Sequence, residues 1–352
     1  MADFQVYVSS HLTGQIDVVR GSGSTGALEH VQRVAVGGQA LAMTHSPDRR
    51  LLYAATLAGA DRDSQPLYTT CRVAAGTGLL EHLDTVAAPA YMVHVSTDAT
   101  GRFLLGASEP TGVITSTPIG RRGLPMQAPA HVVGALGRPH HILTDATNRF
   151  ALVPCMRRDT VLGLSFDART GRFGEEGMRD VHHVAGAGPR HMAHHPNGRW
   201  MYLVNQHDGA LVVYDFDPLT GQLDEVERTS ILPEGFDAAP RGAQIHVTPN
   251  GRFLFVTERT GRSITSWRID PLTGRLDERR ITACPVGLRC FAIDQSSRFL
   301  VVGGVDSDKA SGPHDSPEVA SYAIDPTTGA LEERGRAHCG DGIYWVEIID
   351  QP

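Results

Sequence analysis

Apolar and polar residues alternate in short runs along most of the chain, and Gly-, Pro-, Asn- and Asp-rich turns separate the runs. The clearest stretch is 188–223, GPRHMAHHPNGRWMYLVNQHDGALVVYDFDPLTGQL. It predicts three strands and the start of a fourth, with tight turns at HPNGR and DPLTG. No helix-period segment of useful length interrupts this pattern. The rest of the chain repeats it. Arg199, in the first turn, recurs as Arg50, Arg102, Arg149, Arg252 and Arg298, each followed by an apolar strand. Thr220 follows Arg199 by 21 residues, and the same 21 separates Arg149 from Thr170 and Arg252 from Thr273. Insertions lengthen the step from Arg298 to Thr328 and from Arg50 to Thr77. GRRG at 120–123 is a weaker copy, and STG at 24–26 opens the series. Seven copies spaced by about 50 residues match the four-strands-per-blade period of an all-β, seven-bladed β-propeller.

The chain begins inside a repeat. FQVYVSS reads as a second strand, QIDVVRG as a third and GALEHVQRV as a fourth, while GIYWVEIID at 342–350 supplies the missing first strand. One blade is therefore expected to be built from both termini, which closes the ring and removes open sheet edges. The other six should start near Gly38, Ala88, Gly137, Gly186, Ala238 and Cys284. A length of 352 residues allows two domains, but one closed ring makes 1–352 a single domain.

Charge and cysteine content narrow the class. A formal charge of −7 disfavours a general nucleic-acid binder, and no apolar run is long enough to span a bilayer. Five Cys without motif spacing fit free thiols in a reducing compartment, and the N-terminus shows no signal-peptide pattern. The expected location is the cytoplasm. Because each blade zigzags, the Arg-bearing and DPLTG-type turns share one face. The other face carries the length variation, at 58–66, 231–242 and 304–318, and is expected to carry the site.

Counting from the repeated Arg locates the candidate chemistry. Nine residues before it stand Leu41, Val93, His140, Arg190, Ala243 and Arg289, and one residue later Ala42, His94, His141, His191, Gln244 and Cys290. Seven residues after it stand Leu57, Glu109, Met156, Gln206, Arg259 and Val305. Both sets should return to the mouth of the central channel. Three guanidiniums, four imidazoles and one carboxylate would meet there, and Arg forks match carboxylate or phosphate oxygens. A small anionic molecule is the expected guest. His-based metal binding is the rival, but no HxH or HExxH spacing supports it and an Arg ring would repel the ion. No metal is expected. His194 and His195 lead into the turn on the opposite face and read as structural, and His11 falls near the same rim.

These strings carry a family resemblance. GPRHMAHHPNGRWMYLVN, GRPHH, IHVTPNGRFLFVTERT and DPLTGRL resemble the seven-bladed propeller lactonases, which include one type of bacterial 6-phosphogluconolactonase and fungal carboxymuconate cyclases. The resemblance covers the whole chain and implies an enzyme that opens or forms a sugar-acid or muconate lactone without an obligatory cofactor. It assigns the family's pocket His to His140 and its arginines to Arg190, Arg259 and Arg289. Where relatives commonly carry VNE, this chain has Val204-Asn205-Gln206, so that carboxylate's proton-transfer role is empty or has moved.

The reading that follows is a lactonase for an anionic aldono- or aldarolactone. Arg190, Arg259 and Arg289 would hold the anion and stabilise the oxyanion, and His140 would be the general base because imidazole titrates near neutrality. Glu109 is the candidate to replace the missing carboxylate. Asn205 and Gln206 would bind substrate hydroxyls, with His94, His141, His191 and Gln244 also in the binding set. A muconate-type cycloisomerase and a non-enzymatic binding propeller are the alternatives. A lactone substrate is the only partner expected, with neither nucleic acid nor membrane, on a monomer or weak homodimer.

Overall fold

The computed structural model describes residues 2–174, 180–305 and 317–350. They form seven antiparallel sheets in a propeller, as the repeat predicts. Blade 1 carries the strands Ile343–Asp350, Phe4–Ser10, Gln15–Gly21 and Leu28–Ala35 in that order. The C-terminal strand pairs with the N-terminal one, from Phe4 opposite Asp350 to Ser9 opposite Trp345, so the expected closure is present. The first strands of blades 2 to 7 begin at Gln39, His94, Leu143, Pro189, Gly242 and Cys290. In blade 4 the outer edge is divided between Arg172–Gly174 and Val181–His182, which both pair with Thr160–Asp167. Apart from strands, the described residues contain one 3-10 turn, Met156–Arg158.

Strand character changes from the axis outward for a simple reason. Second strands such as Trp200–Asn205 and Phe253–Glu258 are buried at every position, because sheets lie against both of their faces. Fourth strands such as Leu223–Ser230 are half exposed, and there Asp, Glu and Arg alternate with the packed positions. The apolar clusters sit between neighbouring blades. One joins Trp200, Tyr202 and Val213 of blade 5 to Leu254, Val256 and Trp267 of blade 6.

The repeated turns have a defined job at these interfaces. The glycine ending the turn between third and fourth strands of one blade rests on the large residue that follows the repeated Arg in the preceding blade. A Cβ added at Gly171, Gly221, Gly274, Gly329 or Gly26 would lie 2.3–2.7 Å from the ring of Phe103, Phe150, Trp200, Phe253 or Phe299, respectively. Gly123 meets Leu51 in the same way. These glycines also have positive φ, which favours a residue without Cβ. The Arg itself often reaches across. Arg102 donates to the Ala168 carbonyl at 2.5 Å and Arg298 to that of Gly23 at 2.8 Å, while Arg149 donates to that of Pro218. Hydroxyls of Tyr7, Tyr53, Tyr202, Ser266 and Ser321 donate to the carbonyls of Gly78, Gly123, Gly274, Gly329 and Gly26. Blade 7 holds blade 1 by the same contact that joins interior pairs, so the ring closes without a special seam.

Two glycine substitutions separate backbone strain from this seat. Gly76 has φ +76° with nothing within 4 Å of an added Cβ, whereas Gly274 has φ +69° and the Trp200 ring 2.3 Å away. Gly76→Ala should cost about 1 kcal/mol, the left-handed backbone penalty alone. Gly274→Ala should cost about 1–3 kcal/mol more through overpacking. Equal urea midpoints for the two variants would remove the seat as a stabilising element.

Candidate active site

The face opposite the Arg-bearing turns holds a cavity of about 190 Å³ at the mouth of the channel. His140, Arg190, Arg289, Glu109, Arg259 and Gln206 line it, so both counted slots converge there. It has room for one small molecule. The arginines Arg62, Arg138 and Arg241, together with Tyr91, His207 and Tyr344, complete the polar wall. Counting missed these residues, although signals for four of them exist. Arg62 and Arg241 lie in the two described length-variable segments, and Arg138 is the Arg of GRPHH. Tyr344 occupies the first strand of the blade closed by the termini, which the six-repeat count left out. Of the third variable segment, residues 306–316 lie outside those described.

Local backbone features aim these groups. In blade 5 the pairing shifts register between Pro189 opposite Asn205 and His191 opposite Val204, which makes Arg190 the extra residue of a β-bulge. A bulge breaks the strict alternation of a strand and re-aims side chains. Arg190 thus reaches the cavity while His191 faces the channel cluster. In blade 4 the regular inner strand is only Leu143–Thr144, and Arg138 has φ +63°. His140 therefore sits on irregular backbone tied by its N–H to the Pro154 carbonyl.

Arg190 is 2% exposed. Among the described residues its hydrogen-bond partner is the Ala243 carbonyl, and its Nε has none. Burial, then the charge of Arg289, lowers its pKa to about 9, so it remains a cation at neutral pH. Arg289 lies over the Tyr344 ring, 4.1 Å from the centroid. Arg259 donates to Gln206 Oε1 at 3.2 Å, and Gln206 Nε2 meets His207 Nε2 at 3.1 Å. Gln206 thus bridges a cation and an imidazole. Glu109 is the carboxylate of the described wall, and its Oε1 is 3.2 Å from Arg138 Nε.

The remaining candidates lie elsewhere. His94, His141 and His191 form a buried stack below the cavity, with ring centroids 3.9 Å apart for His94 and His141 and 4.8 Å for His141 and His191. Trp345 closes one side, 5.5 Å from His94. Gln244 is also buried and meets His246 Nε2 at 2.8 Å. Asn205 is fully buried and donates to Asp208 at 3.3 Å, so it does not line the cavity as expected for a hydroxyl-binding group. His194 and His195 bond carbonyls of Thr144 and Gly251 in neighbouring blades, in keeping with structural roles. His11 bonds the Gly342 carbonyl and packs beside Tyr344, outside the cavity wall.

Burial corrects one expectation. His140 does not titrate near neutrality: burial first, then Arg190, Arg289 and Arg259, hold its pKa well below the ordinary imidazole value. His141 and His191 are lowered in the same sense by burial, and His94 and His246 fall to about 3 and about 4. Five imidazoles along the axis are therefore neutral. Among the described residues no group of three or more His, Cys, Asp or Glu could hold a metal ion.

With this geometry in view, the relatives are informative. Residues 5–348 match the model of the lactonase family with a seven-bladed β-propeller, and the chain belongs to that family. It is 33% identical over 344 residues to a Pectobacterium carotovorum protein named 6-phosphogluconolactonase, covering 98% of each chain. A Serratia proteamaculans protein of the same name is 32% identical over 346 residues, again with 98% of each chain covered. The structure of the Pseudomonas aeruginosa periplasmic gluconolactonase superposes with a TM-score of 0.86 at 22% identity. That match covers 99% of this chain and all of the other.

The neutral imidazoles make stability depend on pH. Their folded pKa values lie below the unfolded value near 6.5, so the unfolded state binds more protons in acid. Their contribution is intact above pH 6.5 and is lost as pH falls below it, by about 1.4 kcal/mol per unit per group. Urea midpoints should thus drop steeply between pH 7 and 5. His94→Gln should reduce that slope by about one proton, and an unchanged slope would mean that His94 is already charged in the fold.

Proposed function

We propose that this protein hydrolyses an anionic sugar-acid lactone, with 6-phosphogluconolactone the first candidate. The observation that carries the reading is Arg190, a buried cation bonded to a backbone carbonyl, on the same cavity wall as the neutral imidazole of His140. Among the described residues no carboxylate pairs with Arg190, and a buried cation of that kind favours an anionic guest. The names of the full-length relatives support the same chemistry. Five free, buried cysteines fit a cytoplasmic location, and no described helix is long and apolar enough to cross a membrane.

In this reading the arginines orient the anion and place the lactone carbonyl against Arg190. Water adds to the carbonyl carbon as His140 takes its proton, and the negative charge that builds on oxygen falls to Arg190. The tetrahedral intermediate then expels the ring oxygen, which receives the proton back from His140, and the open hydroxy acid leaves. The bound anion offsets the arginine charges that depress His140, so the imidazole is a stronger base with substrate than without it. Gln206 spaces Arg259 from His207 and binds a hydroxyl. Glu109 fixes Arg138. A lactone is strained and activated, so positioning with modest base catalysis suffices.

Phosphorylated, unphosphorylated and di-acid lactones, with a muconolactone included, should be compared as substrates. The phosphorylated sugar lactone should have the highest kcat/KM. His140→Ala should lower kcat by about 100-fold or more. Arg190→Lys keeps the charge but loses the fork, and should weaken binding by about 1.5–3 kcal/mol. Full activity in His140→Ala would overturn the assignment. The acid limb of kcat/KM should fall well below pH 6.5, because the free enzyme's His140 stays neutral there; a limb at 6.5 would contradict the burial argument.

A further inference from the structure

His191 stands directly behind the proposed base. Its Nε2 is 3.2 Å from His140 Nδ1, both rings are buried, and both are neutral. A neutral pair at this distance shares a single proton, which admits two arrangements. If His191 donates, His140 Nδ1 is bare and Nε2 carries hydrogen; the ring then offers the cavity a donor and cannot accept a proton. If His140 donates from Nδ1, its Nε2 presents a lone pair to the cavity. Only the second arrangement permits base catalysis.

The surroundings favour the second. The charged groups acting on His140 are Arg190, Arg289 and Arg259, all on the cavity wall. A neutral imidazole lowers its energy by turning its bare nitrogen toward cations and its N–H away from them. His191 is also held in place. The bulge at Arg190 sets its direction, and its ring packs against those of His141, His94 and Trp345 at 4.8, 5.8 and 6.2 Å.

We propose that His191 is a positioning residue that accepts the Nδ1 proton of His140 and thereby presents the Nε2 lone pair to the substrate cavity. This rests on His140 being the base. When His140 has taken the proton of water it carries hydrogen on both nitrogens, and the bond from Nδ1 to His191 then stabilises that cation. A neutral acceptor does so without ionising His140 beforehand, as a carboxylate in the same place would. The pair thus keeps the base unprotonated until water attacks.

Three measurements on the full chain test this. In ¹⁵N-labelled wild-type protein, through-bond imidazole correlations should show His140 carrying its proton on Nδ1; a bare Nδ1 would overturn the proposal, whatever the activity. His191→Phe keeps a flat ring and removes the acceptor. It should lower kcat on the best lactone by about 10- to 100-fold while KM changes less than about twofold. His191→Gln restores an acceptor through Oε1 and should recover most of that loss. Wild-type kcat in His191→Phe, with His140→Ala inactive, would sink the positioning role and leave the base assignment standing. Activity in His140→Ala would sink the base assignment itself, and the spectrum would still report the tautomer. If neither His191 variant folds, the wild-type spectrum decides.

Discussion

Every blade buries both faces of its inner strands, and no sheet of this kind can do that alone. The contact on which the ring depends is therefore the one between blades. Its recurring element is a turn glycine seated on the residue after the Arg, with hydroxyls and guanidiniums bonded to turn carbonyls. A side chain at the glycine would push the sheets apart. An unbonded carbonyl would leave a polar group at an apolar seam. The repeat that marks the fold in the sequence is thus also the structure's fastening, which explains why the Arg and the turn occur together.

Fastening one face leaves the other to vary. The loops there differ in length, and two of them bring Arg62 and Arg241 to the cavity. The first strands meet at the axis, so their starts and the ends of the second strands beside them are regular positions where residues of several blades line one cavity. That geometry concentrates cations. It also removes water, and the two effects together keep the axial imidazoles neutral. The arginine-rich wall and the imidazole that stays unprotonated beside it have the same origin: charge of one sign in a buried place.

Much of this was legible in the chain. Arg190, Arg259 and Arg289 were found by counting from the turn Arg, because a repeat transfers geometry from blade to blade. His140, Glu109 and Gln206 were found the same way, and all six line the cavity. His94, His141, His191 and Gln244 came from the neighbouring slot. One residue further along a strand is a different depth in the channel, and they form its buried filling instead. Asn205 fell to the same effect, since it alternates away from Gln206.

The alternation of apolar residues and the spacing of turns determine strand number, blade number, closure and which turns share a face, because these follow from local periodicity and its repetition. The side chains that reach the cavity depend on a bulge at Arg190, irregular backbone before His140 and loops without periodicity. The protonation of His140 depends on excluded water and on arginines from three other blades. Neither is a property of neighbouring residues along the chain, so both were decided only when the blades came together around the axis.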